Sequence, residues 1–170
     1  MAGTLVERAL FVCKLVLTVA GRALPGLGRA PRPRPRPNAK DDAQVEDLIE
    51  ALQTGDIDAL RRRGPGLAHG CNSLGTPWFF ITLESGSLAT VEWFLGQGAS
   101  PTATDPSGRL PLETLIQRAA FADEFDDHLS DCPAMAKALI AAGADPAART
   151  LQGERLSDMA RKAGLDLPPT

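Results

Sequence analysis

The sequence predicts an all-α fold assembled from one recurring helix–helix–turn unit. Three observations carry that expectation. Residues 75–108 hold, in order, a helix start, a break, a second helix, a glycine stop and a turn, and Gly75 and Gly108 stand 33 positions apart. The segment Gly98-Ala99-Ser100-Pro101 returns as Gly143-Ala144-Asp145-Pro146. Between these markers the apolar residues recur three and four positions apart, which places them on one face of a helix.

The unit at 75–108 is the most complete. Thr76 suits an N-cap and Pro77 the first helical position, where its missing N–H costs nothing. A short apolar helix over residues 78–84 is then interrupted at Ser85-Gly86. Leu88, Val91, Phe94 and Leu95 share one face of a second helix, and Gly98 can take the left-handed conformation that ends it. Asp105-Pro106-Ser107-Gly108 fits a type I turn, with Asp first, Pro second and Gly fourth.

The remaining units are variations on it. Val45, Leu48, Ile49 and Leu52 make an apolar helical face that Thr54-Gly55-Asp56 breaks. Ile57, Ala59 and Leu60 begin a second helix that stops early at Arg63-Gly64. Acidic Glu46, Asp47 and Glu50 near one helix start and Arg61, Arg62 and Arg63 at the next helix end match the helix dipole without any ligand. The third unit opens at Gly108-Arg109-Leu110-Pro111-Leu112, and its second helix carries Met135, Ala136, Leu139 and Ile140. Gly98 and Gly143 are 45 apart rather than 33, so twelve residues are inserted. The insertion spans Phe121 to about Asp131. It carries Asp123, Glu124, Asp126 and Asp127, and Phe121, Phe125 and Leu129 at intervals of four predict a lengthened first helix. Asp131 and Pro133 predict the start of the following helix. A last helix follows Gly153 and ends near Arg161 and Lys162, with residues 165–170 as a tail.

This organisation resembles the ankyrin-repeat family, whose period is about 33 residues. The resemblance covers residues 44 to about 165. It rests on Thr76-Pro77-Trp78-Phe79 against the family's T-P-L-H, on Gly108-Arg109-Leu110-Pro111-Leu112 against G-x-T-P-L, and on the repeated Gly-Ala-Asp/Ser. Trp78 and Phe79 replace Leu and His, so the polar link that the family's His makes is absent. The resemblance implies a solenoid of about four units, two of them caps, with the twelve-residue acidic insertion in the third. It also implies protein–protein recognition without cofactor or metal. The contacts it implies are Asp105, Ser107 and Arg109 on the best-formed hairpin, Gln152 on the next, and Asp123, Glu124, Asp126 and Asp127 of the insertion. A partner meeting those acids would be basic.

Charge and composition narrow the alternatives. Residues 1–40 hold eight basic side chains against one acidic, and residues 41–170 hold ten against twenty. An acidic body opposes nucleic-acid binding, which needs a positive face. Tyr is absent and aromatics make up 5%, so the core must be largely aliphatic. Three cysteines, Cys13, Cys71 and Cys132, have no regular spacing and read as buried thiols rather than a disulfide framework. His69, Cys71, His128 and Cys132 lack the paired spacings of a zinc site, and the insertion lacks the glycine-bearing spacing of an EF-hand. No nucleophile or phosphate-loop motif is present, which argues against an enzyme.

The first forty residues divide at 24. Residues 1–24 are apolar with a sparse polar stripe of Thr4, Glu7, Lys14, Thr18 and Arg22. Three readings stand side by side: an interfacial or packed amphipathic helix, a signal peptide or anchor, and a transit peptide. Lys14 near the centre argues against a spanning helix, at about 2.5–3.5 kcal/mol. Residues 25–40, in which Pro31 to Pro37 alternate with Arg, form an extended basic linker. Residues 41–170 form the repeat domain. The expected compartment is the cytoplasm, with a membrane surface or export as the alternatives that residues 1–24 set.

Overall fold

In a computed structural model the residues described are 45–121 and 131–167, all within one unit of the chain, Pro35–Thr170. The predicted N-terminal helix, the linker and the acids Asp123, Glu124, Asp126 and Asp127 lie outside the described residues. Those described are helical, with no strand among them. In order they form α1 (Val45–Thr54), α2 (Ile57–Arg63), a 3-10 turn (Pro65–His69), α3 (Trp78–Ser85), α4 (Leu88–Gly96), α5 (Pro111–Ala120), α6 (Cys132–Ala141) and α7 (Leu156–Lys162).

The helices pair in sequence and the pairs stack. Within pairs, α1 packs on α2, α3 on α4 and α5 on α6; between pairs, α1, α3, α5 and α7 form one layer and α2, α4 and α6 the other. The core lies between the layers. Leu48, Leu52, Leu60, Trp78, Leu83, Val91, Phe94, Leu115, Met135 and Leu139 are all fully buried there. Aromatic rings of α3 and α4 join this core: Phe79 stacks on Phe94 at 5.9 Å between ring centroids, and Trp93 meets Phe94 edge-on at 5.1 Å. Trp78 is wholly buried with Nε1 unpartnered. That omission costs about 1–3 kcal/mol, against the larger gain from burying the ring.

The breaks inside the pairs tie neighbouring units together. Asp56 caps α2 by accepting from the Ala59 N–H at 2.9 Å, and Ser87 caps α4 by accepting from Thr90. The Ser87 N–H and the Thr90 hydroxyl both donate to the Leu52 carbonyl, at 3.0 and 3.1 Å, joining the first pair to the second. From the other side Arg118 on α5 donates to the Gly86 carbonyl at 2.8 Å. Gly86 has no room for a side chain in this joint: a Cβ there would lie 2.6 Å from the Thr82 carbonyl oxygen and 2.9 Å from Thr90 Oγ1. Gly86→Ala is expected to destabilise the fold by about 2 kcal/mol through overpacking. Gly96→Ala, with open space around the added methyl, should cost nothing comparable in the same thermal unfolding measurement.

The helix ends close as their glycines suggest. Gly98 and Ala99 donate back to Leu95 and Phe94, and Gly143 and Ala144 to Ile140 and Leu139. Gly164 and Leu165 repeat the pattern with Arg161 and Ala160, satisfying carbonyls that a helix end otherwise leaves unpaired.

Three local expectations are corrected. Pro77, not Thr76, occupies the N-cap of α3, and it makes no side-chain cap bond. Asp131 precedes α6 without a side-chain cap bond. Leu165, expected in a tail, is 4% exposed and belongs to the core.

Candidate functional site

Helices α3, α5 and α7 of one layer are each entered through the same five-residue turn. In the first, the Asn72 N–H donates to the Thr76 carbonyl at 2.9 Å and the Gly75 N–H donates to the Asn72 carbonyl at 2.9 Å. In the second, Asp105 donates to Arg109 at 3.1 Å and Gly108 to Asp105 at 3.0 Å. In the third, Thr150 donates to Glu154 at 2.9 Å and Gly153 to Thr150 at 3.0 Å. The fourth residue is glycine each time, with φ of 81°, 85° and 86°, in the left-handed region that a Cβ disfavours. The first residue is Asn, Asp or Thr, whose side-chain oxygen accepts backbone N–H groups of its own turn.

These bonds also explain the position of Thr76. Its N–H donates to Asn72 Oδ1 at 2.9 Å and its carbonyl accepts from Asn72, so it closes the turn instead of capping α3. The equivalent residues are Arg109 and Glu154. At Leu110 the missing Thr is partly replaced by Glu113, whose carboxylate accepts the Leu110 N–H at 3.3 Å. Burial raises the Glu113 carboxyl above the ordinary range, and that bond opposes the rise.

Helices α3, α5 and α7 lie side by side, and each is preceded by one of these turns. The second and third turns adjoin, since a Cβ on Gly108 would lie 2.8 Å from Leu151 Cδ1. Two leucines stand out on these tips: Leu74 is 62% exposed on the first and Leu151 is 72% exposed on the third. Each stands where turns usually carry polar residues. Burying such a side chain against a partner is worth about 1.5–3 kcal/mol.

The residues expected to make contacts divide into those used within the turn and those left open. Asp105 is 6% exposed. Its carboxylate accepts from the Ser107 N–H at 2.9 Å, the Ser107 hydroxyl at 2.8 Å, the Arg109 N–H at 2.9 Å and Arg109 Nε at 2.8 Å. It organises the turn rather than facing outward. Arg109, at 24% side-chain exposure, also reaches Glu84 on α3 at 3.1 Å. Burial raises the Glu84 carboxyl above its ordinary value, and Arg109 opposes that rise. Ser107 is exposed, with its hydroxyl directed to Asp105, whereas Gln152 is exposed beside Leu151. Leu74 and Leu151 were missed by sequence reasoning, although the signal was present: an apolar residue inside Asn72-Ser73-Leu74-Gly75 and Thr150-Leu151-Gln152-Gly153.

Among the described residues no group of three or more His, Cys, Asp or Glu side chains could hold a metal ion. Cys71 and Cys132 are buried, and burial pushes the Cys132 thiol up, away from the nucleophilic thiolate. His69 is exposed, and His128 lies outside the described residues. No helix among the described residues is long and apolar enough to cross a membrane. No family model, curated protein or solved structure matches the chain.

Proposed function

We propose that this chain is a protein-binding module of the ankyrin-repeat type, acting by recognition rather than catalysis, with the turn tips as its contact face. One observation carries the proposal: Leu74 and Leu151 are held exposed on turns whose backbones are fixed by their own hydrogen bonds. A pre-ordered tip loses little entropy when it binds, so the apolar area it buries is translated into affinity. The 33-residue interval between Asn72 and Asp105, the helix pairs and the glycine-closed turns support the family reading.

The test is capture by the tagged full-length chain from an extract, followed by the same capture with Leu74→Asp and Leu151→Asp combined. A specific partner should be retained by the natural chain and by Phe121→Asp, which alters an exposed apolar residue that is not on a turn tip. The double variant should lose it by about tenfold or more, the equivalent of at least one buried anchor. Equal retention by the double variant would overturn the tip-face reading.

A further inference from the structure

Beside the third turn the surface opens into a crevice of about 590 Å³ lined by Arg149, Glu154, Arg155, Asp158, Arg161 and Lys162. Four cations face two carboxylates there. Residues 41–170 contain only ten basic side chains against twenty acidic ones, so the crevice gathers four of those ten on a body that is otherwise negative.

The turn itself builds this concentration. Arg149 and Arg155 are paired across the turn by an isolated β-bridge, and both line the crevice. Arg161 and Lys162 arrive from the last turn of α7. Arg161 is held by Asp158 at 2.7 Å and Lys162 by Glu154 at 2.6 Å. The Glu154 carboxylate raises Lys162 above the ordinary lysine range. Both pairs are solvent-exposed, a kind worth little in themselves, so an incoming anion can share their cations. Arg149 donates one bond to the Gly153 carbonyl, and Arg155 has no ion pair among the described residues. A guanidinium has five N–H donors in a planar fork that matches a carboxylate.

We infer that this crevice binds a carboxylate-rich peptide segment of a protein partner, with Arg149 and Arg155 as the principal anchors. The inference rests on the tip-face reading, because Arg149 and Arg155 flank the turn whose tip carries Leu151. A partner covering Leu151 would lay its acidic residues into the crevice beside it. The crevice is open and lined by charged side chains, which suits an extended chain of carboxylates better than an enclosed small ligand.

The test is fluorescence polarisation of a labelled peptide of alternating glutamate and serine, titrated with the full-length chain. Saturable binding should appear at low ionic strength and weaken as salt rises, because these charges are exposed. Arg149→Gln combined with Arg155→Gln should weaken it about tenfold. Arg61→Gln combined with Arg62→Gln, the same change on α2, should leave it unaltered. Glu154→Gln combined with Asp158→Asn removes the two repelling carboxylates and should tighten it, which cannot result from a failure to fold. The inference is overturned if the peptide does not bind, if the two arginine pairs have equal effects, or if the carboxylate-neutralised variant binds no more tightly. Binding to phosphatidylserine vesicles through Arg149 and Arg155, without peptide binding, also overturns it. The Leu74/Leu151 double variant should still bind this peptide, so failure of the tip face and failure of the crevice give different results.

Discussion

Phe94→Ala should destabilise the fold by about 3–5 kcal/mol. Phe94 is fully buried on α4, stacked on Phe79 of α3 and met edge-on by Trp93. Its loss forfeits the transfer free energy of the ring and leaves a void. The surroundings can close that void only partly, because α4 is tied at its start to Leu52 through Ser87 and Thr90. A domain of this size has roughly 5–15 kcal/mol in total, so the variant should be close to unfolding at ambient temperature. Urea denaturation followed by circular dichroism checks this: the midpoint should fall sharply while the slope stays unchanged. Phe121→Ala, at a position 61% exposed, should move the midpoint by no more than about 0.5 kcal/mol. Equal effects would mean that the aromatic core is wrongly placed.

The second large effect is expected at Arg109. Its guanidinium meets Asp105 at 2.8 Å and Glu84 at 3.1 Å, where those carboxylate side chains are 3% and 19% exposed. Arg109→Ala leaves both without their counter-charge in a poorly hydrated place, an outcome that costs about 3 kcal/mol. The loss should depend on pH. Burial already raises the Glu84 carboxyl, and Arg109 is what restrains it, so the variant's Glu84 should titrate higher still. A folded-state pKa raised above the unfolded value favours folding at low pH, and that benefit disappears as pH rises through the folded value. The variant's deficit should therefore be greatest at neutral pH and shrink as pH falls through the raised Glu84 value. Adding Glu84→Gln should recover part of the deficit at neutral pH, and a double-mutant cycle would give the coupling. A deficit independent of pH and of Glu84 would mean that Arg109 acts by packing alone.

The helices were legible because their signals are local. Apolar spacing marked the buried faces of α1, α4 and α6, and the glycines after α4 and α6 marked their ends. The turn at 105–108 was legible too, since Asp, Pro and Gly each hold a turn position for a stated reason. The error at Thr76 has a physical cause. Thr before Pro is a fair N-cap, but Asn72 claims the Thr76 N–H through its side chain and the Thr76 carbonyl through its backbone. That moves the helix start one residue on. Spacing cannot decide between two local motifs competing for one residue.

The candidate site was harder to read, since a contact residue is defined by what remains uncovered. Asp105 looks like an exposed acid in the sequence, yet four bonds turn it inward. Leu74 and Leu151 look like ordinary core leucines, yet they stand on tips where no neighbour reaches far enough to cover them. The gathering of Arg149, Arg155, Arg161 and Lys162 needed both the third turn and the last turn of α7 in place.

By itself, then, the order of residues determined most of the breaks and glycine stops between helices, which helix faces are apolar, and the 33-residue recurrence of the turn. Hydrogen bonds and steric limits over four or five residues set those features, and they act in any context. The tertiary structure alone decided that Leu165 is core, that Gly86 is a joint between three units, that Asp105 serves its own turn, and that Leu151 and a basic crevice share the third turn. Each of these depends on distant segments removing water from one side chain and leaving it on another.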